Sequence, residues 1–441
     1  MLSPDVVIVS IGVAEDRLHE IASYLRLRKA KEKKVTWSRR WPPPPPKEPP
    51  YTYLTNIDPR GWVLFEREYG VLTRARTQMF RSGTALEFDS PIRFSNPGLT
   101  LLRVGGEPLA AYPRHPITAE MLMPNSRWVD QELEIATRTS AQYGYNIALP
   151  DLHNVIEALL TRGSLKYDVS DKGKLARALS AQVDLDELLT TGVPAAIRAL
   201  TTPRSKHFLN QLRQLTGLEA DIIEFGNQWG GRTERRFRGA AHVKAEAGRP
   251  AAEALERLAE LRLAERGLVV RCDRCTLKQF VPLHEVGGQG RCPGCQAAQG
   301  YLKNGAQLEV NYRLNTLVDR ASDQGAIPHL LAVAALARRA DHTELLPGVV
   351  VRFDESAPRE ADLFGVSGGR IIAGEVKSSP TDFTASQIKR DMRLSADLQA
   401  GVHVMACLAD LGRDAIAAAE AEATDAGLEL VVLGPKDLAL A

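Results

Sequence analysis

No stretch of the 441 residues strings together the ~18 uninterrupted apolar residues that a membrane helix needs, so no membrane partner is expected. A secretory leader is not expected either. Val6–Val13 is apolar, but Asp5 precedes it and Glu15 and Asp16 follow, which reads as a buried strand and places the chain in the cytoplasm. No phosphate loop of the GxxxxGK[ST] type occurs, so any nucleotide-driven motor would be a separate protein. Five cysteines are too few for a disulfide framework in a chain of this length.

What is present is ordinary globular material, 44% hydrophobic and 25% charged, which excludes a disordered or fibrous protein. The length suggests about two to four domains. The net charge of +2 hides an asymmetry. From Tyr301 to the end there are 14 Lys+Arg against 20 Asp+Glu, so the first 300 residues carry +8. A basic front and an acidic back suggest that an anionic partner is gripped by the front.

Five segments follow from texture. Residues 1–50 combine the strand-like start, a helix-like stretch (Glu15–Lys34), a basic tract with Trp37 and Trp41, and the prolines Pro42–Pro46 and Pro49–Pro50, an extended spacer. Residues 51–126 alternate short apolar runs with turn residues and read as β-rich. Residues 127–267 read as mostly helical, with apolar periodicity over Leu149–Leu160, Lys174–Leu189 and Ala251–Ala264. That region also holds the glycine-rich, basic stretch Gly226–Gly239, where Arg232, Arg235, Arg236 and Arg238 are candidates for phosphate contact. A partnerless surface loop is the competing account.

Residues 268–300 carry Cys272-Asp-Arg-Cys275 and, sixteen residues later, Cys292-Pro-Gly-Cys295. Two CxxC knuckles joined by a short hairpin complete a closed tetrahedral site for a structural Zn²⁺. Gly294 is expected to help the backbone wrap the metal. His284 reads as a surface residue and Cys407 as a small core residue. Arg271, Arg274, Lys278 and Arg291 leave nucleic-acid contact open, beside protein contact or a purely stabilising role.

Residues 301–441 hold the most informative pattern. Helices are expected over Asn311–Arg320 and Ile327–Arg339, then three strands in a meander, then helix, strand, helix and strand, an α/β unit with a mixed sheet. On the third strand Glu375 and Lys377 are two apart and share a face. Asp362 precedes them across a hairpin that turns at Ser367–Gly369. Two neighbouring carboxylates repel unless a divalent cation lies between them, and a lysine on the same face can offset phosphate charge. An ordinary Glu–Lys pair on an exposed edge is the plainer alternative, which the apolar flanks Ile371–Ala373 disfavour.

This segment, from Leu308 to Leu433, resembles the PD-(D/E)xK nuclease superfamily. The resemblance implies a restriction-endonuclease-like fold, Mg²⁺ or Mn²⁺ held by Asp362 and Glu375, and Lys377 as the catalytic lysine. It also implies an accessory polar group from the preceding helix, for which Glu309, Asp319 and Asp323 are candidates, and a glutamine on the following helix, where Gln387 stands. Ala361 replaces the proline of the name motif. Glu360 is a candidate further ligand, with an ion pair to Arg352 or Arg359 as the alternative; Ser378 and Ser379 are candidates to line the site.

The fold class expected is therefore multidomain α/β: a restriction-endonuclease-like C-terminal domain, a small zinc ribbon and a mixed α+β N-terminal region. The function expected is a Mg²⁺-dependent nuclease acting on DNA. By resemblance, its setting is bacterial DNA processing or defence against foreign DNA, with a protein partner or a homo-oligomer left open. The rival is a catalytically silent zinc-ribbon scaffold or nucleic-acid-binding protein.

Overall fold

The computed structural model describes residues 52–57, 62–67, 70–79, 84–88, 99–138, 146–162, 165–202, 235–292, 294–305, 307–353 and 357–440. The segment 1–50 with its tryptophans and prolines, Trp229 and Arg232 lie outside the described residues.

The sheet that carries the candidate site has six strands among the described residues, and its spatial order is its chain order. They are β1 (Leu165–Val169), β2 (Thr343–Phe353), β3 (Arg359–Ser367), β4 (Arg370–Lys377), β5 (Val402–Cys407) and β6 (Glu429–Leu433). β1 to β4 pair antiparallel, while β4–β5 and β5–β6 pair parallel. Both faces are covered, so β3, β4 and β5 read as nearly unbroken buried runs rather than as alternation. The β3–β4 hairpin turns at Gly368 and Gly369, both at positive φ, as a tight two-residue turn demands.

Helices that flank this sheet include α1 (Asp171–Ser180), α2 (Ala326–Ala337), α3 (Ala385–Asp397) and α4 (Arg413–Asp425). α1 and α2 share a core with Leu363, Ile372, Val376 and Val404. α3 and α4 pack with Met405 and Cys407, so Cys407 is the core residue its apolar run suggested. α2 is apolar on every side and correspondingly buried throughout.

Residues Thr52–Ala441 form one compact unit. An eight-stranded sheet runs Ser126–Val129, Glu132–Arg138, Leu99–Gly106, Thr52–Ile57, Trp62–Arg67, Gly70–Met79, Thr84–Phe88 and Asn146–Leu149 in spatial order. A four-stranded antiparallel sheet orders Phe237–Gly239, Asn311–Leu314, Ala264–Arg271 and Lys278–Pro282. These layers make a multidomain α/β protein with a mixed sheet.

Several elements depart from the reading of the sequence. The stretch 127–267, read as mostly helical, contributes strands to all three of these sheets, and one of them is β1. Helix Lys174–Leu189 is interrupted between Ser180 and Leu185. Asn311–Arg320 is not one helix. Tyr312 and Leu314 are buried in alternation and pair with Ala264–Arg271, and Asn315 then caps a helix over Thr316–Asp323 by accepting from Val318 N. A four-residue strand offers too few positions for period two to show against period 3.6.

Candidate functional site

Two clusters stand out, one of sulfur and one of carboxylates. Cys272, Cys275, Cys292 and Cys295 bring all four Sγ atoms within 4.8 Å of one another, and none is in a disulfide. The two knuckles repeat the same backbone pattern. Thr276 N and Gln296 N donate to the carbonyls of Cys272 and Cys292 at 2.8 and 2.7 Å. Cys272 N and Cys292 N donate to Leu277 O and Ala297 O at 2.9 and 3.0 Å. Thr276 and Gln296 take positive φ, so the left-handed residue follows each knuckle. Gly294 is not at positive φ, and a Cβ there would meet its neighbours no closer than 3.6 Å, so wrapping the cluster does not demand glycine.

The Cys275 N–H, 3.4 Å from Cys272 Sγ, helps to pull that thiol down to about 6. Cys272–Cys295 and Cys275–Cys292 approach to 3.3 Å. Four sulfurs at ~2.3 Å from one ion would stand about 3.8 Å apart, so the group could hold a tetrahedral metal ion with little movement. His284 pairs on the surface with Glu285 and is not among the four.

The carboxylate site is built by strand register. The β3–β4 ladder pairs Leu363 with Gly374, and one step further the same register sets Asp362 across from Glu375. There the carboxylate takes over from the ladder: Val376 N donates to Asp362 Oδ2 at 3.0 Å. Lys377 pairs directly with Glu375 and lies 4.0 Å from Asp362 Oδ2. The three residues singled out in the sequence are thus brought together.

Three others join them. His329, the polar member of α2, is 3% exposed and puts Nε2 3.0 Å from Asp362 Oδ1. Lys172 of α1 puts Nζ 2.9 Å from the same oxygen and 3.6 Å from Glu360. Asp391 of α3 is 8% exposed, accepts from Gln387 Nε2 at 2.7 Å on one oxygen, and has no hydrogen-bond partner on the other. Gln387 therefore acts on Asp391. Glu360 is partnered by Lys172, while Arg359 goes to Asp397.

Of the helix candidates, Asp319 accepts from Thr202 N, and the helix that enters the site is the next one, α2. A lone histidine in an otherwise apolar helix was the available signal for His329. Asp391 stands four residues after Gln387, which places both on one helix face. Lys172 carried no local signal. Ser379 caps a short turn by accepting from Thr381 N, and Ser378 is exposed.

Charge in the site is unbalanced, with Asp362, Glu375, Asp391 and Glu360 facing Lys172, Lys377 and one imidazole. Burial alone would raise Asp362, but the His329 contact, the Lys172 ammonium and the Val376 N–H outweigh it and hold it well below the usual carboxylate range. Glu375 moves the other way. Burial, then the charges of Asp362 and Asp391, push it up to about 8. Burial lifts Asp391 to about 6.

His329 poses a sharper demand. Its Nδ1 lies 2.9 Å from the Gly325 carbonyl, which can only accept, so the proton sits on Nδ1. Nε2 stands 3.0 Å from Asp362 Oδ1, where a bare lone pair would face a carboxylate oxygen. A proton or a cation must reconcile the two. The partnerless Asp391 oxygen and the carboxylates of Asp362 and Glu375 are oxygen donors of the kind a hard divalent cation takes. Lysines stand between the carboxylates, and among the described residues only the four cysteines gather three or more donor atoms within 4.8 Å.

Comparison with known proteins adds little. No family model matches the chain, and no curated protein matches it. Among solved structures it is similar to protein VC1899 from Vibrio cholerae, at 14% identity and a TM-score of 0.32, covering 77% of this chain and 67% of that one. It is also similar to Can2 from Sulfobacillus thermosulfidooxidans, solved in complex with cyclic tetra-adenylate, at 8% identity and a TM-score of 0.25, covering 76% and 65%. At such scores neither bears on what this chain does.

Of the arginines proposed for phosphate contact, the described ones, Arg235, Arg236 and Arg238, have partners within the protein. Arg235 donates to Leu314 O at 2.7 Å and pairs with Glu265, and Arg236 and Arg238 pair with Glu246. They tie the strand Phe237–Gly239 to its surroundings. Arg271, Arg274, Lys278 and Arg291 of the cysteine segment are all exposed. Among the described residues no helix is long and apolar enough to cross a membrane.

Proposed function

We propose that the C-terminal segment is a metal-dependent nuclease of the PD-(D/E)xK kind. The observation that carries this reading is the placement of Asp362 opposite Glu375, with Lys377 on the same strand face and His329 Nε2 3.0 Å from Asp362 Oδ1. Asp362 and Glu375 would hold Mg²⁺ or Mn²⁺, with His329 and Asp391 as further donors. Bound there, the cation supplies Lewis acidity and charge neutralisation at the scissile phosphate. Lys377 orients the attacking water and faces the charge that builds on the phosphate. Glu375, ionised once the cation is in place, fixes the Lys377 ammonium.

The cysteine cluster holds a structural zinc, since four thiolates leave no open position for chemistry. The exposed cations of that ribbon and the basic first 300 residues would bind nucleic acid, DNA in the first instance, because the acidic C-terminal segment binds it poorly by itself. Residues 268–300 and 301–441 are the proposed ribbon and catalytic domains, the latter completed by β1 and α1.

The deciding experiment incubates supercoiled, linear and single-stranded DNA, and RNA, with the protein and Mg²⁺ or Mn²⁺, beside Glu375→Ala and an EDTA control. Metal-dependent cleavage lost in the variant is expected. A folded, zinc-loaded protein that cleaves none of these substrates would leave the silent scaffold as the better account.

A further inference from the structure

Lys172 belongs to no motif, yet it is built into the site. Its helix starts against Gly348 of β2. Ser170 N donates to Gly348 O at 2.8 Å, Ser170 Oγ caps the helix at Gly173 N, and Gly348 sits at φ +65. A Cβ on Gly173 would lie 2.3 Å from Pro347 O, so the first turn of α1 touches the strand backbone. The lysine stem therefore departs from a fixed point beside Asp362.

We infer that Lys172 is a second catalytic lysine, which yields Asp362 to a divalent cation and then holds a non-bridging oxygen of the scissile phosphate. The inference rests on the nuclease reading. Each of the two central carboxylates has its own ammonium, Lys172 on Asp362 and Lys377 on Glu375. A dication bound at Asp362 competes for the oxygen that Lys172 now contacts. The displaced ammonium cannot withdraw far, because its backbone is clamped, and its side chain is 31% exposed, open to a substrate. The oxygen it contacts already has His329 Nε2 at 3.0 Å from inside, so Lys172 is not that oxygen's sole partner. Water adds to phosphorus and loses a proton to solvent, the P–O bond to the leaving group breaks, and the leaving oxygen takes a proton from solvent. The Lys172 ammonium keeps its protons throughout and offsets the charge growing on the phosphate oxygens.

The test compares wild type with Lys172→Met and Lys172→Arg, using a DNA oligonucleotide at saturating Mg²⁺ and a separate Mn²⁺ titration. Folding is checked by near-UV circular dichroism, and Lys172→Gln replaces the methionine variant if that one does not fold. Loss of a preorganised cation should lower kcat by about 10²-fold. Arginine should restore much of that rate, and Mn²⁺ should bind Lys172→Met as tightly as wild type or more tightly. A kcat within roughly twofold of wild type would overturn the inference while leaving the nuclease reading intact. So would a loss of Mn²⁺ affinity matching the loss of rate, because Lys172 would then merely hold Asp362 in place. A wild type that cleaves nothing overturns both.

Discussion

Lys172 and Asp362, 190 residues apart in the chain, meet at 2.9 Å between Nζ and Oδ1. Strand pairing makes the meeting. β1 lies antiparallel to β2 with Val169 opposite Val349, so the helix that follows β1 begins beside the strand next to Asp362. The carboxylate site is thereby assembled from three parts of the chain: the strand–helix unit at 165–180, helix α2, and the segment from β3 to α3.

The start of α1 is the weak point of that assembly. Gly173→Ala places a methyl group against Pro347 O, and the nearest atom is backbone, which cannot swing away. A loss of about 1–3 kcal/mol is expected from such overpacking. Urea denaturation checks the stability, and cleavage should fall with it as Lys172 is shifted. An alanine variant as stable and as active as wild type would show that the contact has slack.

Asp391 is expected to act with the metal. Asp391→Asn keeps the shape and removes the charge, and Mn²⁺ affinity should weaken roughly 10- to 100-fold, as for other groups that support a metal site. Isothermal titration measures this directly. Unchanged affinity would make Asp391 a buried carboxyl of structural importance only.

Stability without added divalent cations should depend on pH in a definite direction. Glu375 rises from an ordinary 4.5 to about 8 in the folded protein. A carboxyl whose folded pKa is raised contributes stability that is complete below its unfolded pKa and is lost as pH climbs through the folded one. Asp391, lifted to about 6, adds to the same slope. Asp362 is held low, so its contribution is lost only in acid, below this window. With the zinc left in place and no Mg²⁺ or Mn²⁺ added, the melting temperature of wild type relative to Glu375→Gln should therefore fall between about pH 5 and 8. A difference that stays level across that range would contradict the charge crowding.

Zinc content gives an independent check on the ribbon. Metal analysis should find roughly one zinc per chain, lost in Cys272→Ser. Removing it should unfold the segment 268–300 and weaken nucleic-acid binding before it affects cleavage. DNA binding unchanged after verified zinc loss would separate the ribbon from substrate capture.

Much of this protein was legible without coordinates wherever the deciding interactions are local. The two CxxC knuckles state their own geometry, because the ligands of each lie three residues apart and the loops between them are short. The β3–β4 hairpin is equally local: a two-glycine turn and an apolar run on either side bring Asp362 opposite Glu375, and Lys377 follows by alternation. The surroundings of the arginines near 235 were not legible, for a related reason. Composition shows that guanidinium groups are clustered but not that Glu246 and Glu265 stand beside them.

What the sequence determined, then, was the chemistry carried by neighbours along the chain: a cysteine cluster, a carboxylate pair and its lysine. Only the tertiary structure decided what surrounds that pair. His329 arrives on a helix indistinguishable from core, and Asp391 one helical turn beyond Gln387. Lys172 arrives from a strand that joins the sheet from 190 residues upstream. The pairing of β1 with β2 depends on backbone hydrogen bonds that any sequence can make and on the fit of apolar faces. No motif marks it, and contacts of that kind become visible only when the sheet is closed.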